Sequence, residues 1–192
     1  MSAVIEEEEA RLVVYPLDDE GARLIRECES VKEKLVHKPP IRVFGKNARM
    51  QRDVGFFSDV CEGYKYSGQM SKAMPMTAEL RRLLNYVNAK FGSNFNGILV
   101  NRYENGDDFI SKHSDDESGL DPKAGVVALT FGSERKFRIR DKETGKMVID
   151  VLTRQDEMIQ MAGAQFQKKY THEIPKQKGV GERMSFTFRY HV

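Results

Sequence analysis

The segment "ERMSFTFRYH", residues 182–191, decides the fold class. It alternates strictly: Arg183, Ser185, Thr187 and Arg189 take one side of an extended chain, and Met184, Phe186, Phe188 and Tyr190 take the other. A helix would scatter both sets around its circumference, so the period of two marks a strand with one face in a core. Arg183 and Arg189 stand about 20 Å apart at strand rise. They serve opposite ends of a site, or they stud the solvent face of an edge strand. The strand alone does not choose between these.

Most of the chain upstream reads in the same way. "IRVF", "GYKYS", "GILVNRY", "DFISKH", "VVALTF", "KFRIR", "KMVIDV", "EMIQM" and "KKYTH" are strand-like runs. Turn signals such as "ENGDD", "FGSE", "ETGK" and "KQKGVGE" separate them. Near the start, "RLVVY" predicts a short strand ended by Pro16, and two helices interrupt the pattern. The first opens at Asp18 or Asp19, carries Ala22, Ile25, Cys28, Val31 and Leu35 near helical spacing, and stops at "HKPP". The second is capped by Thr77, carries Leu80, Leu83, Leu84, Val87 and Phe91, and ends at Gly92. Early helices followed by many strands predict an α+β, mainly β fold, with two N-terminal helices packed against a jelly roll.

The chain has 192 residues, 40% hydrophobic and 31% charged, which suits one soluble domain. We expect residues 11–192 to form it and residues 1–10, with Glu6 to Glu9, to be an acidic leader without structure. No apolar run reaches the roughly 18 residues of a membrane span, and the start lacks the basic and apolar regions of a secretory signal. Cys28 and Cys61 lack CxxC spacing, so free thiols in the nucleus or cytoplasm are expected. Residues 1–40 hold ten acids and six bases, a charge of −4, which leaves +6 of the overall +2 on residues 41–192. A basic body is compatible with a polyanionic partner and equally with an ordinary domain behind an acidic leader.

"ISKHSDDESG", residues 110–119, places His113 and Asp115 on one side of an extended chain. They form a surface ion pair or supply two ligands of one metal. "THEIP" offers His172, and two His with one Asp are the donor set of a facial triad on non-haem Fe(II). His37 and His191 gain no such support and are read as structural or exposed. In "LVNRY", Asn101 and Tyr103 point the same way. Together with Arg183 and Arg189 they are the donors that a dicarboxylate requires.

"NRYENGDDFISKHSDDE", "VVALTFGSERKFRIR", "YTHEIP" and "RMSFTFRYH", in this order, resemble the AlkB-type dioxygenases. The resemblance runs from about Arg11 to the C-terminus and is closest to the eukaryotic subgroup that repairs double-stranded DNA. It implies a double-stranded β-helix that uses Fe(II), 2-oxoglutarate and O2 to demethylate alkylated bases such as N1-methyladenine and N3-methylcytosine. Succinate, CO2 and formaldehyde would be released. It makes His113, Asp115 and His172 the iron ligands, and Asn101, Tyr103, Arg183, Ser185, Thr187 and Arg189 the 2-oxoglutarate contacts. Arg183 with Tyr103 would hold the distal carboxylate, and Arg189 would lie near the keto-acid end.

On the same resemblance Arg52, Tyr64, Tyr66 and Ser67 would line the pocket of the flipped base, and Glu117 would face its positive charge. Asp116 is read as a solvated turn residue. The chain departs from many relatives at Ser185, where they carry Asn, and at Gln51, where they often carry Pro. The implied partner is alkylated DNA, duplex favoured, and a monomer is expected. An RNA or single-strand demethylase would keep the same site. A protein hydroxylase would share its iron and oxoglutarate ligands but has no use for "GYKYSG".

"IRVFGK" leaves two readings open. Phe44 continues the strand begun at Ile41 and is buried, or it is a wedge at a hairpin tip, flanked by Arg42, Lys46 and Arg49, that enters the duplex.

Overall fold

The computed structural model describes residues 1–43, 45–66, 69–116, 119–121 and 123–192, the side chains of residues 64–66 and 69 excepted. In chain order it begins with β1 (Ser2–Glu7), β2 (Ala10–Pro16), α1 (Asp19–Glu27) and a 3-10 helix (Cys28–Lys34). Next come β3 (Pro40–Val43), β4 (Lys46–Arg49), β5 (Asp53–Phe57), β6 (Gly63–Tyr66), β7 (Gln69–Lys72) and α2 (Ala78–Phe91). The strands β8 (Gly97–Tyr103), β9 (Ile110–His113), β10 (Val126–Gly132), β11 (Arg135–Asp141), β12 (Met147–Thr153) and β13 (Glu157–Ala162) follow. A short α3 (Phe166–Lys169), β14 (Tyr170–Ile174) and β15 (Arg183–Arg189) close the order.

Seven strands form the larger sheet in the order β1-β2-β13-β10-β15-β8-β5, and four form the smaller in the order β12-β11-β14-β9. Strand β15 lies between β10 and β8, well inside the larger sheet, so its arginines do not stud an edge. Its apolar side packs beneath the helices: Met184, Phe186 and Phe188 join Ile25 of α1 and Leu80, Leu83 and Val87 of α2 in one cluster. Burying each such side chain contributes about 1.5–3 kcal/mol. The opposite side faces the smaller sheet, where Leu12, Ile159 and Met161 meet Phe137, Ile139 and Ile174. The result is helices, large sheet and small sheet in three layers, the expected jelly roll with two N-terminal helices.

Both helix starts follow their caps. Asp18 accepts from Gly21 N at 3.0 Å and Thr77 from Leu80 N at 3.2 Å. Gly92 ends α2 in the left-handed region at φ +57°, which a side chain would resist.

Two expectations are corrected. The acidic leader is a strand: Ser2–Glu7 pairs antiparallel with β2, Ile5 is buried, and Glu7 is held by Lys169 and by Tyr170 Oη at 2.6 Å. The apolar pair Val4 and Ile5 outweighs the acids, which find cations or water. The first helix also does not run unchanged to Leu35, because beyond Glu27 it tightens to a 3-10 turn. Three residues per turn put Cys28 and Val31 on one buried side.

The candidate active site

Between the sheets, the polar side of β15 meets the ends of the small-sheet strands. The register pairs His113 of β9 with His172 of β14, bringing their ring centroids to 4.3 Å. Asp115 lies two residues past His113 and turns back beneath both. Its Oδ1 is 3.8 Å from His113 Nε2, and its Oδ2 is 3.6 Å from His172 Nε2. All three donor atoms lie within 4.8 Å of one another. Bonds of about 2.0–2.2 Å to one ion would place such donors about 3–4 Å apart.

The protonation states suit a cation. His113 Nδ1 lies 2.9 Å from the Ser111 carbonyl, to which its proton is donated, so the Nε2 lone pair faces Asp115. Burial pushes His113 below the usual imidazole range. Burial and the neighbouring His113 take His172 down to about 3, so it too is neutral at physiological pH. Burial works to raise Asp115, but Arg189 and the two imidazoles outweigh it and hold the carboxyl below its ordinary value. Its Oδ2 is buried without a hydrogen-bond partner. Two neutral imidazoles, one carboxylate and an orphaned oxygen fit a divalent metal with coordination positions left open.

The two arginines mark the ends of the site. Arg189 Nη2 donates to Asp115 Oδ1 at 2.8 Å. Arg183 donates through Nε to Thr153 Oγ1 at 3.2 Å and through Nη2 to Thr130 Oγ1 at 3.1 Å, and its Cζ lies 5.3 Å from the Tyr103 ring centroid. Its Nη1 is buried without a partner, and burial, with Arg135 nearby, brings the guanidinium down to about 10. A bound carboxylate would answer both facts. The register sets Arg183 opposite Tyr103 and Ser185 opposite Asn101, so these four form one polar wall, with Thr187 farther along.

Arg52 is buried and donates through Nε to Asn101 Oδ1 at 2.8 Å, which fixes the amide. It lines both this cavity and a cleft of about 800 Å³ beneath the β3–β4 hairpin. Arg42 and Arg49 from the hairpin, with Lys112 and Lys176 opposite, line that cleft, and all four are exposed. The hairpin turns at Gly45, φ +78°. Phe44, Ser67 and Glu117 lie outside the described residues, as do the side chains of Tyr64 and Tyr66 on β6. Of the histidines set aside, His37 is exposed and meets Asp53 at 2.8 Å, and His191 rests against Phe56.

Sequence reading passed over Thr130, Thr153, Arg135 and Gln167. Thr130 could have been found, because it shares the alternation of "VVALTF". Arg135 gave no such signal. It is wholly buried and caps the carbonyls of Asn105, Asp108 and Pro175 at 3.2, 2.8 and 2.7 Å.

Residues 17–189 match the family model described as the 2OG-Fe(II) oxygenase superfamily. The chain belongs to that superfamily. The superfamily is described by its dependence on Fe(II) and 2-oxoglutarate. Within it the chain is of the AlkB type. It is 30% identical over 178 residues to the mouse protein named DNA oxidative demethylase ALKBH2, covering 88% of this chain and 74% of that one. The human protein of that name is 30% identical over 156 residues, 78% of this chain and 60% of its own length. The chain thus spans about three fifths of the human relative. A solved structure titled "The structure of OsALKBH1" superposes with a TM-score of 0.58 at 14% identity, covering 93% of this chain and 97% of that one. This likeness concerns the fold. Among the described residues, no helix is long and apolar enough to cross a membrane.

Proposed function

We propose that this dioxygenase removes methyl groups from N-alkylated bases in DNA, with N1-methyladenine and N3-methylcytosine in duplexes as its substrates. The observation that carries the reading is the single polar face on β15. One end of it meets the His113–Asp115–His172 triplet through Arg189, and the other presents Arg183 beside Tyr103. The DNA oxidative demethylases to which the chain is similar, and the cation-lined cleft opening beside Arg52, support nucleic acid as the substrate.

In this reading His113 and His172 offer Nε2, and Asp115 a carboxylate oxygen, to Fe(II). Asn101, Tyr103, Arg183, Ser185, Thr187 and Arg189 hold 2-oxoglutarate, with Arg183 on the distal carboxylate. Iron and 2-oxoglutarate, when bound, supply the O2-dependent oxidation of the methyl group. The protein's residues supply orientation and electrostatics. Tyr64, Tyr66 and Ser67 receive the flipped base, whose extraction costs least when methylation has already weakened its pairing. Glu117 answers the positive charge of the methylated ring, and Phe44 fills the gap in the duplex. The enzyme acts as a monomer in the nucleus or cytoplasm.

The test is release of formaldehyde from N1-methyladenine placed in duplex DNA, single-stranded DNA and RNA, with Fe(II) and 2-oxoglutarate supplied. Turnover highest on duplex DNA supports the whole reading. Turnover only on RNA transfers the substrate assignment to RNA, and turnover on none of them removes it.

A further inference from the structure

We propose that Gln167 is a positioning residue for Asp115, fixing the backbone of the loop that offers this carboxylate to the metal; the inference rests on Asp115 being a ligand. Asp115 lies two residues beyond the last residue of β9, past the reach of the β9–β14 ladder. Its N–H is taken instead by Gln167 Oε1 at 2.9 Å. A backbone N–H only donates, so the amide oxygen must face it, which leaves Nε2 toward Met161 Sδ at 3.7 Å. Asp115 is thereby held at both ends, its backbone by Gln167 and its carboxylate by Arg189.

The support is itself anchored. Gln167 sits in α3 behind the buried Phe166, and α3 runs directly into β14, which carries His172. Lys142 Nζ spans the two segments, reaching Asp116 Oδ2 at 2.7 Å and the Gln167 carbonyl at 3.3 Å. Ser114 Oγ adds a bond to the Tyr170 carbonyl at 2.8 Å. Gln167 therefore couples the segment bearing His113 and Asp115 to the one bearing His172. A neutral amide does this without setting a second negative charge beside Asp115.

Partners of this kind typically alter metal affinity by about 10- to 100-fold. Mn(II) binding to the metal-free protein, followed by the electron paramagnetic resonance of the free ion, reads this without turnover. Gln167→Met, and Gln167→Asn, whose shorter arm withdraws the oxygen, should each weaken Mn(II) binding about tenfold. Gln167→Glu keeps an acceptor in place and should bind at least as well as the native protein. Exposed Lys168, the next residue of α3, should tolerate alanine without effect. Native affinity in both the Met and Asn variants, or equal losses in Lys168→Ala, would overturn the inference. Asp115→Ala separates the two layers: if it too binds Mn(II) like the native protein, the ligand assignment itself fails.

Discussion

Arg189 Nη2 stands 2.8 Å from Asp115 Oδ1, and both side chains are buried, 4% and 0% exposed. Removing one partner of such a pair leaves the other charge buried and uncompensated, at a cost of about 3–5 kcal/mol. Arg189→Ala should therefore lower the melting temperature of the metal-free protein sharply. Asp115→Asn also removes the countercharge but leaves an acceptor for Arg189. It should lower the melting temperature too, by less than a variant such as Asp115→Ala that removes the acceptor as well. Equal melting temperatures in the native and Arg189→Ala proteins would show that the pair is not formed in solution.

At the far end of the same strand, Arg183→Met removes the guanidinium with the unpartnered Nη1. A hydrogen bond to a charged group contributes about 1.5–3 kcal/mol, so 2-oxoglutarate should bind roughly 10- to 100-fold more weakly by calorimetry. Metal affinity measured without 2-oxoglutarate should stay near native. Unchanged 2-oxoglutarate binding would return Arg183 to a purely structural role between Thr130 and Thr153.

The fold and the polar face were legible because both depend on one-residue alternation, which "RMSFTFR" displays without interruption. Both helix caps were legible for the same local reason. What escaped depended on tertiary context. The four glutamates of residues 6–9 hid a strand that pairs with β2, with buried Ile5 opposite Leu12. Gln167 lies 52 residues from Asp115, in a four-residue helix with no periodicity to reveal it. Arg135 reads as a surface residue in sequence, yet the carbonyls that cap it come from two separate loops.

Asp18 predicts a pH dependence of stability. It caps Gly21 N and is bonded by Lys90 Nζ and Tyr86 Oη, each at 2.8 Å, and these partners hold its carboxyl down at about 2. The unfolded value is about 3.9, so the folded state gains from the charge above that pH and loses the gain as pH falls toward 2. Native protein should be more stable than Asp18→Asn at pH 7, and the gap should close between about pH 4 and 2. A gap independent of pH would mean that the charge plays no part.

The cleft beneath the hairpin predicts a salt dependence. Lys112→Ala and Lys176→Ala should each weaken DNA binding to a similar degree whatever the sequence. Each should lower the slope of log affinity against log salt by about 0.9 on duplex DNA, the value for one phosphate contact. Slopes unchanged in both variants would place the DNA elsewhere.

Phe44→Ala distinguishes a wedge from a core residue. Aromatic stacking returns about 1–3 kcal/mol per base, so its loss should impair repair of a methylated duplex far more than of the same lesion in a single strand. The melting temperature should hardly change. Equal impairment of both substrates, or a melting point several degrees lower, would make Phe44 a core residue.

The most direct measurement is formaldehyde released from an N1-methyladenine duplex by the native protein and by His113→Ala, Asp115→Ala and His172→Ala, each supplied with Fe(II) and 2-oxoglutarate. Release is expected from the native protein alone, with all three variants folded and inactive. Substantial formaldehyde from any one of those variants would contradict the placement of the iron at this triplet.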